Sequence, residues 1–175
     1  QGLVTAGHCC SLAFLDESSA GRVIERVAAA GLHIVALPAC NLVLMGRGMQ
    51  PPPRGVTRVK ELLTAGVNVC AGSDNVQDPF NPFGSYDPLH SALLTGLTAH
   101  MTGAAELRAC LEMVTTRPAR ALGLPGYGLT EGAPADLLVL DDFQPDTVAT
   151  APPTRLATFK NGRLVVRTRT EREWM

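Results

Sequence analysis

Short apolar runs alternate with amphipathic stretches over the first two-thirds of the chain. Leu3-Val4-Thr5-Ala6 is strand-like and ends at Gly7-His8. Asp16 can cap a helix in which Ala20, Val23, Ile24, Val27 and Ala28 recur at i, i+3, i+4 and i+7, with Gly31 as its stop. Leu32 to Leu37 forms the next apolar run, closed by Pro38. A Gly/Pro-rich loop carrying Asn41, Gly46-Arg47-Gly48 and Pro51-Pro52-Pro53 is expected after it. Thr57 can cap a helix with Val59, Leu62 and Leu63 on one face, ended by Gly66. Val67 to Ala71 is the third strand and runs into Gly72-Ser73-Asp74-Asn75.

Equivalent positions Leu3, Ile34 and Val67 are 31 and 33 residues apart. A (β/α)8 barrel of about 250 residues divides into units of about 31 residues, and a doubly wound sheet has similar spacing. Apolar strands joined by helical crossovers indicate a parallel sheet covered on its faces. The pattern changes after Asn75. Val76 to Tyr86 reads as a loop, Pro88 to His100 and Ala104 to Val114 as helices, and Pro118 opens a shorter one. From Tyr127 onward the chain has β character. Asn161-Gly162 stands between the β-rich runs Arg155 to Lys160 and Leu164 to Val166, a strong hairpin signal. The charged tail, Arg167 to Met175, is expected to fray.

Composition narrows the class. The 175 residues carry 15 Lys+Arg and 16 Asp+Glu, a net charge of −1 that argues against a nucleic-acid partner. Hydrophobic residues make up 46%, enough for a core, yet no apolar run spans a membrane and no secretory signal is visible. The five cysteines, Cys9, Cys10, Cys40, Cys70 and Cys110, are odd in number and form no C-x-x-C pair. A reduced, cytoplasmic chain is expected. Its start at Gln1, inside a strand-like run, is expected of a piece of a longer protein.

Ligands of parallel α/β folds bind at the C-terminal strand ends. His8, Asn41 and Asp74 fall there, after the first, second and third strands, and would face one mouth. Imidazole and carboxylate both titrate and both ligate Zn²⁺ or Fe²⁺, so the pair suits a metal site or acid–base work. Plainer readings stand beside this one. A strand-end histidine also serves as a hydrogen-bonded structural residue, and Gly72-Ser73-Asp74-Asn75 also suits an ordinary turn. Cys9 and Cys10 read as buried structural thiols. His33, His90 and His100 read as structural, Arg47 and Arg54 as solvated. Gly46-x-Gly48 is not a dinucleotide fingerprint.

Gly72-Ser73-Asp74-Asn75-Val76-x-Asp78-Pro79-x-x-Pro82-Phe83-Gly84 resembles the amidohydrolase superfamily, within it the cytosine deaminase group. Val4-Thr5-Ala6-Gly7-His8 resembles that family's sixth-strand histidine motif. Arg54 to Leu63, running on to Gly66-Val67-Asn68-Val69, resembles its seventh helix and eighth strand. Tyr127-Gly128-Leu129-x-x-Gly132-x-x-Ala135-Asp136-Leu137 resembles the return into its small β-sandwich. The resemblance implies an α/β fold: the C-terminal part of a metal-dependent (β/α)8 TIM barrel plus part of an accessory β-sandwich. Residues 1–126 would supply the last three βα units and terminal helices, and residues 127–175 the accessory segment.

By the same resemblance, Asp74 matches the aspartate that ligates the metal and takes a proton from the attacking water. His8 matches the histidine that contacts the metal-bound water, and both are expected at the metal and in catalysis. Asn75 falls where some cytosine deaminases have a second Asp that contacts the pyrimidine, and Phe80 where a Trp often lines the pocket. Both are candidate substrate-binding residues. The implied cofactor is one divalent ion, Zn or Fe, and the implied reaction is hydrolytic deamination of a cytosine-like pyrimidine or related heterocyclic amine. A related hydrolase of N-alkylated triazine C–N bonds and a non-catalytic α/β domain are the alternatives. The family's other metal ligands lie on strands this sequence lacks, so the isolated chain is expected to be inactive and prone to associate. A full-length homo-oligomer acting on a small heterocycle is expected.

Overall fold

The structure is a computed structural model, and it describes residues 4–169, 171 and 173–175. Three short strands, β1 (Thr5–Gly7), β2 (His33–Ala36) and β3 (Asn68–Ala71), pair in parallel in the order β1-β2-β3. Thr5 lies opposite His33, and His33 opposite Asn68. Registered positions are therefore 28 and 35 residues apart (33 − 5 and 68 − 33), not 31 and 33. The longer second unit accommodates an extra helix. Leu3, the expected start of β1, lies outside the described residues, as do Thr170 and Arg172 of the tail.

Helix α1 (Glu17–Ala30) begins as expected: Asp16 accepts a hydrogen bond from the Ser19 amide at 2.9 Å, and Gly31 closes it in a left-handed conformation. The expected loop after β2 instead begins with helix α2 (Pro38–Leu44). Pro38 does not stop the chain there. It takes the first helical turn, where its missing N–H is no loss. The N-cap position of helix α3 (Val59–Thr64) falls on Arg58, with no side-chain capping bond, rather than on Thr57, whose buried hydroxyl finds no partner. The Arg58 guanidinium donates to the Leu12 and Leu15 carbonyls, which fixes the start of α3 against the segment before α1. Helices α4 (Pro88–Thr98), α5 (Ala104–Glu112) and α6 (Thr116–Ala121) follow. His100 stands beyond the end of α4, in a left-handed conformation, and not on the helix as expected.

The core gathers Ile24 of α1, Ile34 and Ala36 of β2, Val69 and Ala71 of β3, Val59 and Leu62 of α3, and Met113. All four residues of β3 are buried, which requires cover on both faces. Asn68, polar within that strand, donates to the Arg117 carbonyl and meets His33 Nδ1, both at 3.0 Å, so His33 has the expected structural part. Ala149, from the segment after α6, joins the same core. Arg54 is not merely solvated: its guanidinium donates to the Leu97 and Thr98 carbonyls and so caps the end of α4.

A second sheet is antiparallel, with β4 (Leu137–Leu140), β5 (Arg155–Lys160) and β6 (Arg163–Arg167) in that order. Asn161 and Gly162 both take positive φ, 49° and 73°, as a two-residue hairpin turn requires. Among the described residues, no helix is long and apolar enough to cross a membrane.

Candidate active site

Three strand-end residues converge. His8 directly follows β1, and its backbone N–H donates to the Val35 carbonyl of β2 at 3.0 Å. Asn41 lies on α2, the helix that follows β2, and Asp74 lies three residues past β3. His8 Nδ1 is 2.8 Å from Asn41 Oδ1, and His8 Nε2 is 3.4 Å from Asp74 Oδ2. The imidazole thus bridges an amide on one side and a carboxylate on the other. The His8 and Asp74 side chains keep 43% and 25% of their surface exposed, open to a small molecule yet partly shielded.

Both residues of the pair sit in the left-handed region, His8 at φ 62° and Asp74 at φ 56°. That conformation is uncommon for residues with a Cβ and clusters at functional sites. It turns each side chain sharply out of its strand direction and toward the common mouth. Gly72 makes room behind: a Cβ there would stand 3.1 Å from Leu37 Cδ2 and 3.5 Å from Val35 Cγ1.

Comparison with known proteins places this geometry. The Amidohydrolase family profile matches residues 1–166. The chain belongs to the amidohydrolase family. It is 40% identical over 169 residues to a pterin deaminase of Rhizobium rhizogenes, covering 95% of this chain and 38% of that protein. The 5-methylcytosine deaminase of Klebsiella pneumoniae, solved with 5-fluorocytosine, superposes with a TM-score of 0.92 at 34% identity. That match covers 99% of this chain and 43% of the other. The N-isopropylammelide isopropylaminohydrolase of Burkholderia multivorans superposes with a TM-score of 0.81 at 30% identity, covering 95% and 40%. The chain therefore spans about two-fifths of the length of these relatives. As the sequence motifs implied, the resemblance is to a deaminase-like amidohydrolase, C-terminal part only.

The donor chemistry of this amidohydrolase fits part of a metal centre. Two donors about 2.1 Å from one tetrahedral ion stand about 3.4 Å apart, and His8 Nε2 and Asp74 Oδ2 have that separation. Among the described residues no group of three or more His, Cys, Asp or Glu could bind an ion.

Of the two expected substrate-binding residues, Asn75 directly follows Asp74 in the chain and Phe80 stands on the loop beyond it. The Asn75 amide is engaged inside its own loop: its nitrogen donates to Asp78 and its oxygen accepts from Cys40 Sγ at 3.7 Å. Asp78 also accepts from the Phe80 and Asn81 amides, both at 2.9 Å. The Asn75 side-chain bond, then those amides, hold its carboxyl below the usual range. The Phe80 ring is 63% exposed, so it stands free beside the loop and does not pack into the core.

The sequence gives Cys40 no role, and Asp78 only a place in the motif from Gly72 to Gly84. The Asp78-Pro79 dipeptide was the available signal for the second, because Asp before Pro favours a turn. Cys40 gives no such signal; burial, reinforced by the Asp74 carboxylate, pushes its thiol up to about 11. Cys9 and Cys10 are half-buried rather than buried, and Cys10 Sγ lies 3.8 Å from Met45 Sδ. All five cysteines are free thiols.

Proposed function

We propose that this chain is the C-terminal portion of an enzyme that hydrolytically deaminates a heterocyclic amine, a cytosine-like pyrimidine or the fused pyrimidine ring of a pterin. The observation that carries the reading is the convergence of His8 and Asp74 on one mouth at the ends of parallel strands. Two relatives above 30% identity carry names for that chemistry, pterin deaminase and 5-methylcytosine deaminase. In this reading the parallel sheet is part of a (β/α)8 barrel, residues 127–175 belong to an accessory β-sandwich, and the enzyme is a cytoplasmic homo-oligomer.

His8 and Asp74 would hold one divalent ion, zinc or iron, with further donors from outside this chain. Such an ion supplies a nucleophilic hydroxide at neutral pH. Asp74 takes a proton from the attacking water and returns it to the leaving nitrogen. The new C–O bond forms at the amidine-like carbon, the C–N bond breaks, and ammonia departs with the proton. His8 stands beside the attacking water. Phe80 offers a flat apolar surface to the ring, and Asn75 replaces an acidic contact by an amide.

The engagement of Asn75 within its own loop favours a second reading, hydrolysis of an N-alkylated triazine, because the Asn75 amide is then not free to meet a pyrimidine N–H. Ammonia release by the full-length protein from pterin, cytosine and 5-methylcytosine, set beside isopropylamine release from N-isopropylammelide, separates the two. Ammonia that disappears in Asp74→Asn is the expected result. Unchanged rates and metal content in Asp74→Asn would leave a non-catalytic α/β domain.

A further inference from the structure

Asn41 is 2% exposed, and its side-chain Nδ2 is buried with no hydrogen-bond partner. A buried amide donor left unpaired costs free energy, and the bond made at the other end of the amide offsets that cost. The group on its other end is His8. Asn41 Oδ1 accepts from the imidazole at Nδ1, 2.8 Å away. An amide oxygen has no proton to give, so this bond requires the hydrogen on Nδ1 and, in the neutral ring, leaves Nε2 bare. That Nε2 faces Asp74 Oδ2 at 3.4 Å. In the neutral ring the two are both acceptors, a pairing that suits a cation between them. Turning the amide over would place its N–H₂ against Nδ1, move the proton to Nε2, and let His8 donate directly to Asp74. The amide orientation therefore selects between two tautomers with opposite roles at the mouth.

The fold determines where the amide stands. Asn41 is the fourth residue of α2, its backbone N–H donates to the Leu37 carbonyl at 3.1 Å, and its carbonyl accepts from the Met45 amide at 2.8 Å. With both backbone groups committed and the side chain buried, Oδ1 is carried by the helix and not by a mobile loop.

We infer that Asn41 is a positioning residue: its Oδ1 holds the His8 ring through Nδ1–H, so that Nε2 is the ring nitrogen presented beside Asp74. This deepens the proposed function and rests on it for its catalytic meaning, whereas the tautomer itself is a property of the chain. The test is nitrogen and carbon NMR of histidine-labelled, chelator-treated full-length protein, with the His8 signals assigned by their loss in His8→Gln. The Nδ1–H form is expected at His8 in the wild type. Asn41→Leu should move it to the Nε2–H form that free imidazole prefers, and Asn41→Asp, which keeps an acceptor in place, should restore Nδ1–H. In turnover, Asn41→Leu should lower kcat about 10- to 100-fold with little change in KM. An Nε2–H wild type, or an Asn41→Leu protein that keeps Nδ1–H, would overturn the inference. Should the leucine variant not fold, Asn41→Ala makes the same comparison, and the wild-type tautomer decides alone. If the tautomers behave as stated but no heterocycle is deaminated, the functional reading fails and this one stands.

Discussion

Arg155 of β5 donates a charged hydrogen bond to Asp87, the residue that caps α4 by accepting from the Leu89 amide at 3.0 Å. One carboxylate therefore starts a helix of the parallel unit and holds a strand of the antiparallel sheet. Arg155 also donates to the Pro153 carbonyl at 2.9 Å, so its guanidinium keeps a partner when Asp87 is removed. Asp87→Ala loses the cap and the ion pair together and should cost about 1–2 kcal/mol. Arg155→Met loses the partly exposed pair and the bond to Pro153 but leaves the helix cap in place, and should cost less than about 1 kcal/mol. Urea denaturation of both variants and their double mutant measures the coupling; equal losses from the two single variants would show that the cap contributes nothing.

The left-handed backbone at Asp74 makes a separate claim about stability. With φ at 56°, alanine there pays a steric cost that glycine does not. Asp74→Gly should therefore be more stable than Asp74→Ala by about 1 kcal/mol, although both are expected to be inactive. Thermal melts of the two variants decide it. Alanine as stable as glycine would mean that the backbone relaxes out of this conformation once the carboxylate is gone.

The left-handed pair also marks the limit of what the sequence alone could supply. That His8, Asn41 and Asp74 share a mouth follows from period and from where strands end, and the Asp16 cap, the Gly31 stop and the Asn161-Gly162 hairpin follow from local chemistry. Helix α2 did not, because Pro38 reads equally as a strand stop and as a first-turn residue; only tertiary burial of Cys40 and Asn41 decides between them. The start of α3 falls at Arg58 and not at the expected Thr57 for a related reason: long-range guanidinium bonds to the Leu12 and Leu15 carbonyls outweigh local capping propensity. The link between Asn75 and Asp78, and the thiol of Cys40 beside Asp74, are side-chain geometry with no periodic signature.

Acid should weaken the contact between α3 and α5. Glu106 pairs with Lys60 Nζ at 2.7 Å and reaches back to the Thr102 and Gly103 amides at 2.8 and 2.9 Å. The Lys60 bond first, then those amides, hold its carboxyl down at about 2 against an ordinary 4.5. A pKa lowered by folding stabilises the native state fully above the ordinary value, and that stabilisation is lost as pH falls from about 4.5 toward about 2. The melting temperature should fall across that window and fall less steeply in Glu106→Gln, which keeps a capping acceptor but has no charge to lose. Parallel curves for the two proteins would remove Glu106 from the acid response.

The antiparallel sheet leaves apolar side chains uncovered. Leu138, Val139, Leu164, Val165 and Val166 are all exposed, Val165 at 60%, and every residue of β6 is exposed along an outer strand. A three-stranded sheet with apolar groups open to water is a template for association through its faces and free edges. The charges of Arg163 and Arg167 flank β6 at its two ends but leave Leu164, Val165 and Val166 unguarded between them. The 175-residue chain alone is therefore expected to elute from size exclusion as a concentration-dependent associated species. Val165→Lys together with Val139→Lys should shift it toward monomer, with a stability change within about 0.5 kcal/mol because neither side chain is part of the core. A wild-type chain that elutes as a single monomer at every concentration and melts cooperatively would mean that the sheet needs no cover.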